Sequence, residues 1–281
     1  MKLSFSTNAF TRYSVAEAVE KIAALGYHGV EILADRPHLF SPEVKAEALR
    51  DLKLLLDRHG LAVANINANT AAGYYDVSFW EPVFEPSLAN PEPRARQWRI
   101  HYVKASIDIA KVLGAANISI TAGRMTPGVL PRESLAILRE SMAEVIAHAQ
   151  ERGIRIGIEY EPGLLIENCA ELCDFLEKMD SPWLGANLDI GHSYVAREDV
   201  PGVIRRLAEK VFHVHLEDIQ GRKHFHLIPG QGEIDFDAIL SALARQSYAG
   251  YVTVELYSYP HRADEAAREA HEYLSQLPYW H

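Results

Sequence analysis

Four short apolar runs of this chain each end in a side chain that can hold a divalent metal ion: Glu159 after IRIGI, Asp189 after LGANL, His215 after VFHV and Glu255 after YVTV. Successive side chains of a β-strand point to opposite faces, so each run divides into an apolar and a polar set. Ile154, Ile156 and Ile158 share one face, and Arg155, Gly157 and Glu159 the other. Leu184, Ala186 and Leu188 oppose Gly185, Asn187 and Asp189, while Phe212, Val214 and Leu216 oppose Val211, His213 and His215. Val252, Val254 and Leu256 oppose Thr253 and Glu255. All four candidates therefore fall in the polar phase near the C-terminal end of a strand. Three carboxylates and one imidazole form an oxygen-rich set that suits Mn2+, Mg2+ or Co2+ better than a thiolate-rich zinc site would, with Zn2+ also compatible. One such acid alone is usually a solvated charge or a helix cap, whereas four that agree in phase and depth point to a single cation.

The elements needed to bring these groups together are legible as an alternation. Strand-like runs at 2–7, 28–33, 61–67, 117–121, 154–159, 184–189, 211–216 and 251–256 are separated by helix-like segments at 14–25, 42–59, 94–113, 132–152, 168–179, 200–208 and 236–244, and a last one follows at 263–275. Gly26, Gly60, Gly114 and Gly153 stand where several of these helices stop, as a left-handed C-terminal position requires. Strict alternation favours a parallel sheet with right-handed crossovers, and eight repeats in 281 residues fit a single-domain (β/α)8 TIM barrel. A doubly wound open sheet is the rival architecture. In a barrel the chemistry sits where the strands end, and the same phase places Asn8, Glu31, Asn67 and Thr121 towards that mouth.

Composition narrows the partners. A formal net charge of −10, with no block of Lys or Arg, repels phosphate backbones and argues against nucleic acid. The start MKLSFSTNAF is too short and polar for a signal peptide, and no apolar run approaches the ~20 residues of a membrane span, so a cytoplasmic protein is expected. Cys169 and Cys173 lie one helical turn apart and read as reduced, partly buried thiols.

Five segments in order, IGIEYEPG (156–163), LDIGH (188–192), HVHLED (213–218), IPGQGEIDF (228–236) and VTVELY (252–257), resemble the xylose isomerase-like TIM-barrel family of sugar phosphate isomerases and epimerases. That family includes ketose 3-epimerases, inosose and dehydroshikimate dehydratases, and DNA-repair endonucleases of the endonuclease IV type. The resemblance implies that Glu159, Asp189, His215 and Glu255 are the metal ligands and that His192 contacts substrate. Glu161 shares the phase of Glu159 and rivals it, while His213 rivals His215, although the family motif places its ligand two residues after the first His. Arg222 matches a substrate-contacting Arg of related epimerases or is a solvated loop residue; His226, rather than His224, is the better placed to reach the mouth. Gly230 and Gly232 read as a turn rather than a phosphate cradle. The endonuclease branch uses additional His residues at the ends of the third and fourth strands for three zinc ions, where this chain has Asn67 and Thr121.

The expected chemistry is an isomerase or epimerase acting on a sugar, cyclitol or related polyhydroxy carbonyl compound through an enediolate, with Glu159 and Glu255 exchanging the proton on either side of one carbon. Loss of a β-hydroxyl from the same intermediate would make it a dehydratase instead, and DNA repair is a remote third reading. Glu161, His226, Arg222 and Asn67 are further contact candidates. An inserted loop at about 70–93 would lie over the active face as a lid or subunit contact, with Trp80 as its nominee for stacking on a sugar or as a hydrophobic anchor. The family resemblance further implies a homodimer or homotetramer.

Overall fold

The computed structural model describes residues 1–75 and 82–281, so Trp80 and the middle of the inserted loop lie outside the described residues. Eight parallel strands close into a barrel in sequence order: β1 (Lys2–Ser6), β2 (Gly29–Leu33), β3 (Ala62–Asn67), β4 (Asn117–Thr121), β5 (Arg155–Glu159), β6 (Leu184–Asp189), β7 (Val211–Leu216) and β8 (Tyr251–Val254). β1 pairs with both β2 and β8, which closes the ring. Helices α1 (Val15–Ala24), α2 (Ala46–His59), α3 (Pro93–Leu113), α4 (Pro131–Arg152) and α5 (Cys169–Met179) cross between successive strands. A short α6 (Ile190–Val195) and then α7 (Val200–Leu207) follow β6, α8 (Phe236–Arg245) follows β7, and α9 (Ala263–Leu274) ends the barrel. The architecture is the (β/α)8 barrel that the alternation implied.

Local chemistry sets the boundaries. α1 begins in a capping box: the Ser14 hydroxyl accepts from the Glu17 amide at 3.3 Å and the Glu17 carboxylate accepts from the Ser14 amide at 2.8 Å. α2, α3 and α4 end on Gly60, Gly114 and Gly153 in the left-handed region, which a residue with a Cβ enters at a cost. The helix α6, which the sequence reading did not anticipate, is nucleated by Asp189, whose side chain accepts from the His192 amide at 2.7 Å.

The two strand faces divide the labour unusually cleanly. The apolar phase, including Phe5, Ile156, Ile158, Leu188, Val214 and Val254, is buried against the helix layer. The barrel interior is polar instead of being filled by branched aliphatic side chains. Ser4 lies 2.5 Å from the Thr253 hydroxyl, Thr253 lies 2.9 Å from His213 Nε2, and Asn65 donates to Glu31 at 2.8 Å and to Ser119 at 2.9 Å. Asn117 completes the chain by donating to Asn65 Oδ1 at 2.7 Å. Buried polar groups are tolerated when each finds a partner, and these partners lie across the barrel as well as along its wall.

The described ends of the inserted segment are tethered to the barrel. Asp35 accepts from Thr70 Oγ1 and from the Ala72 and Gly73 amides at 2.7–2.8 Å. The buried Arg99 guanidinium donates to the carbonyls of Ala68, Asn69 and Thr70. Both cysteines are free thiols, with sulfurs 3.9 Å apart. Among the described residues no helix is long and apolar enough to cross a membrane.

Candidate active site

At the C-terminal mouth the barrel brings together Glu159, Asp189, His215 and Glu255, with one potential ligand atom from each lying within 4.8 Å of the others, and all four residues buried. Glu159, Asp189 and His215 belong to β5, β6 and β7. Glu255 stands one residue past β8, but its amide still donates to the Leu216 carbonyl at 3.1 Å and so remains fixed to the sheet. His215 Nδ1 is 2.8 Å from Glu159 and 3.6 Å from Glu255, so both carboxylates face the same ring nitrogen. Of the two rivals left open by the sequence, Glu161 and His213, neither belongs to this quartet.

A buried frame holds the quartet. Asn8 and Asn67 donate to the same oxygen of Glu255 at 2.8 and 3.1 Å, and Asn187 donates to Glu159. Asn67 also donates to Glu31 at 3.0 Å and accepts from the Asn69 amide, so its polar atoms serve the frame. Thr121 is buried at the end of β4 and turns its hydroxyl towards the Asn69 carbonyl. Glu31, placed in the mouth layer by phase but given no role, proves central. Its carboxylate reaches across the barrel to His215 Nε2 at 2.6 Å and to His213 Nε2 at 3.3 Å. A register shift between Val30 and Glu31 sets Glu31 beside Asn65 instead of Ala64.

Glu31 therefore pins the far nitrogen of His215 and leaves Nδ1 facing the carboxylates, the arrangement that orients an imidazole towards a metal. Glu31→Gln is expected to weaken metal binding about 10- to 100-fold while the protein remains folded. Metal titration of the chelator-treated protein measures this, and an unchanged affinity would remove the orienting role.

The electrostatics suit a cation. Burial opposes charge on His215, but Glu31, Glu255 and Glu159 raise its pKa well above the usual imidazole value. Burial pushes Glu255 up to about 8, with Glu159, Glu31 and Asp189 adding to the shift. Burial likewise disfavours charge on Asp189, yet His192, His226 and His215 pull it down to about 2. One Asp189 oxygen caps α6, and the other, Oδ2, is buried without a hydrogen-bond partner. An unpartnered buried carboxylate oxygen beside two further carboxylates and an imidazole is what a divalent ion would satisfy, so these residues fit such an ion. Glu217, two residues past His215, adds a further buried acid; burial, then Asp189 and Glu255, push its pKa well above the carboxylate range.

The remaining candidates divide. His192 is buried beside the quartet, 3.8 Å from Asp189 and 3.9 Å from Glu159, and these acids with Glu161 outweigh burial to hold its pKa at about 9. Burial raises Glu161 to about 7, and its carboxylate lies 3.7 Å from His224 Nδ1. His226 is buried and its Nδ1 faces the Glu255 carbonyl at 2.8 Å. Arg222 instead lies on the exposed loop, donating to the Tyr194 carbonyl at 2.5 Å with its guanidinium 4.5 Å from the Tyr194 ring centre. The amides of Gly230 and Gly232 both donate to Asp218, at 2.9 and 2.8 Å, which makes this segment a turn built on an internal carboxylate.

A family model described as xylose isomerase-like TIM barrel matches residues 19–277. The chain belongs to this xylose isomerase-like family. Among its curated relatives is a fructoselysine 3-epimerase of Shigella flexneri, 28% identical over 285 residues that cover 99% of this barrel and 98% of the relative. A crystal structure of a D-tagatose 3-epimerase-like protein superposes with a TM-score of 0.79 at 23% identity, covering 98% of this chain and 99% of the other. The IolI protein, crystallised with a zinc atom, superposes with a TM-score of 0.79 at 21% identity over 97% of this chain and 96% of its own.

Proposed function

We propose that this xylose isomerase-like barrel is a divalent-metal-dependent epimerase or isomerase of a sugar or polyhydroxy ketone. The observation that carries the reading is the convergence of Glu159 and Glu255 on the same ring nitrogen of His215, with Asp189 completing a four-ligand set. The full-length similarity to a 3-epimerase supports the reaction class, and the zinc in the IolI structure supports metal binding by a barrel of this fold. A bound ion would supply a Lewis acid that stabilises the negative charge developing on two neighbouring substrate oxygens. One carboxylate of the Glu159 and Glu255 pair removes the proton from the carbon beside the carbonyl, and the other returns a proton. Transfer to the opposite face inverts that carbon, whereas transfer to the neighbouring carbon interconverts aldose and ketose. Asn8, Asn67 and Asn187 fix the orientation of the two carboxylates, so that neither has to reorganise during the transfer.

His192 and His226, which group with His224, and Glu161, whose carboxylate lies 3.7 Å from His224 Nδ1, are the contacts we assign to substrate, while Arg222 supports the loop that carries His226. Incubation with ketoses, inososes and their phosphates in D2O with Mn2+, Mg2+ or Co2+ tests the reading. The expected result is solvent deuterium at a single carbon of the recovered and inverted sugar. An enone accumulating from an inosose in place of deuterated ketose would replace epimerisation by dehydration.

A further inference from the structure

Tyr160 follows β5 between Glu159 and Glu161, and the period of two that turns those acids to the mouth sends its ring the other way, into the apolar core. Phenylalanine would fill that space as well, so the hydroxyl is the part that asks for a reason. A buried hydroxyl costs stability unless it is paired. Here it is paired twice: the phenol donates to Glu198 Oε2 at 2.8 Å, and the Ser193 hydroxyl of α6 lies against its oxygen. Glu198 is held in turn, since its other oxygen accepts from the Cys169 amide at the start of α5 at 2.9 Å and its own amide donates to the Ser193 carbonyl at 3.0 Å. The main chain of Tyr160 reaches the residue before Ser193, because its carbonyl faces His192 Nδ1 at 3.0 Å. One residue thus grips α6 at two consecutive positions, His192 by its main chain and Ser193 by its side chain.

We propose that Tyr160 is a positioning residue for His192, its carbonyl and its phenol together fixing the imidazole against the metal-ligand quartet. The inference rests on the reading of His192 as a substrate contact. A hydrogen bond from the ring to a carbonyl orients the ring but does not hold the helix that carries it. α6 has only six residues, too few to keep its place by its own hydrogen bonds. Asp189 ties down its start through the His192 amide, and the phenol, through Ser193 and Glu198, ties it to β5 and α5. The geometry so protected is narrow: His192 Nδ1 stands 3.8 Å from Asp189 and 3.9 Å from Glu159, and its Nε2 stands 3.1 Å from His224 Nε2. A carbonyl only accepts, so Nδ1 carries the hydrogen towards Tyr160 and Nε2 is the nitrogen turned to the contacts above the mouth.

Solvent exchange of the His192 ring proton reads this hold directly and needs no substrate. In long-range 1H–15N spectra of the Mg2+-loaded protein the Nδ1 proton of His192 is expected to exchange slowly, and Tyr160→Phe is expected to speed that exchange by about 10-fold, the loosening that loss of one buried hydrogen bond allows. With a ketose that takes up deuterium in the assay above, the same variant is expected to raise KM by about 10-fold while kcat and Mg2+ affinity change little. Ser193→Ala, which removes the hydroxyl joining the phenol to α6, is expected to act in the same direction, and it decides the matter should Tyr160→Phe fail to fold. Ring exchange and KM that match the unaltered protein in Ser193→Ala, or a lower melting temperature of Tyr160→Phe without either change, overturn the proposal. Absent turnover in the unaltered protein would instead remove the epimerase reading and leave the ring measurement standing.

Discussion

Glu255→Gln and Glu159→Gln, each assayed at saturating metal, are expected to lower kcat by about 10^2- to 10^4-fold, the range lost when a positioned acid or base is removed. Glutamine keeps the shape and can still meet the asparagines that hold these side chains, Asn8 and Asn67 at Glu255 and Asn187 at Glu159. It cannot take up or release the proton. The two variants should also differ from a simple loss of metal. Where one carboxylate survives, it can still exchange the substrate proton on its own face, so deuterium incorporation should outlast inversion. Circular dichroism and metal content separate this outcome from unfolding or an empty site. Turnover retained in both variants would contradict the assignment of proton transfer to this pair.

Removing the metal is expected to abolish turnover, with full recovery on adding Mn2+, Co2+ or Mg2+, and the affinity should depend on pH in a definite direction. In the metal-free protein His215 titrates well above its usual value and Glu255 at about 8, so both hold protons at pH 7. A metal binds only their deprotonated forms, so binding must release protons. Apparent affinity should therefore rise with pH and level off once pH passes the titration of Glu255 and of His215. Calorimetry in two buffers of different ionisation enthalpy counts the released protons directly. An affinity that is flat or falling between pH 6 and 8 would show that these groups are not ligands.

Much of this site was legible in the sequence because strands carry a period of two. Glu159, Asp189, His215 and Glu255 could be placed in phase and depth from their own runs, and the barrel then had only to close. What failed to show were contacts between elements far apart in the chain. Glu31 was assigned to the mouth layer, but its bond to His215 spans 184 positions and the width of the barrel, which no local pattern reports. α6 escaped notice because six residues directly after a strand give too short a window for helical periodicity, and its cap is the metal-ligand candidate Asp189 itself. Arg222 matched a position in the family pattern, yet its side chain is drawn outward by the Tyr194 carbonyl and ring. Glu217 gave only the faint signal of sharing the phase of His213 and His215; the space for it comes from Gly191, where an added Cβ would collide with its carboxylate.

The polar barrel interior has a consequence for how such a chain can change. Because the apolar packing lies between sheet and helices, most inward positions contribute little oily surface and are held by reciprocal donors and acceptors. Altering one member of such a couple strands the other in a dry environment, at a cost of about 1–3 kcal/mol, while replacing both by aliphatic groups of like shape can be nearly neutral. Ser4 and Thr253, or Asn65 and Asn117, should therefore drift together with the groups they also serve, His213 in the first case and Glu31 and Ser119 in the second, so that the lumen remodels by linked steps even as the outer shell accepts single ones.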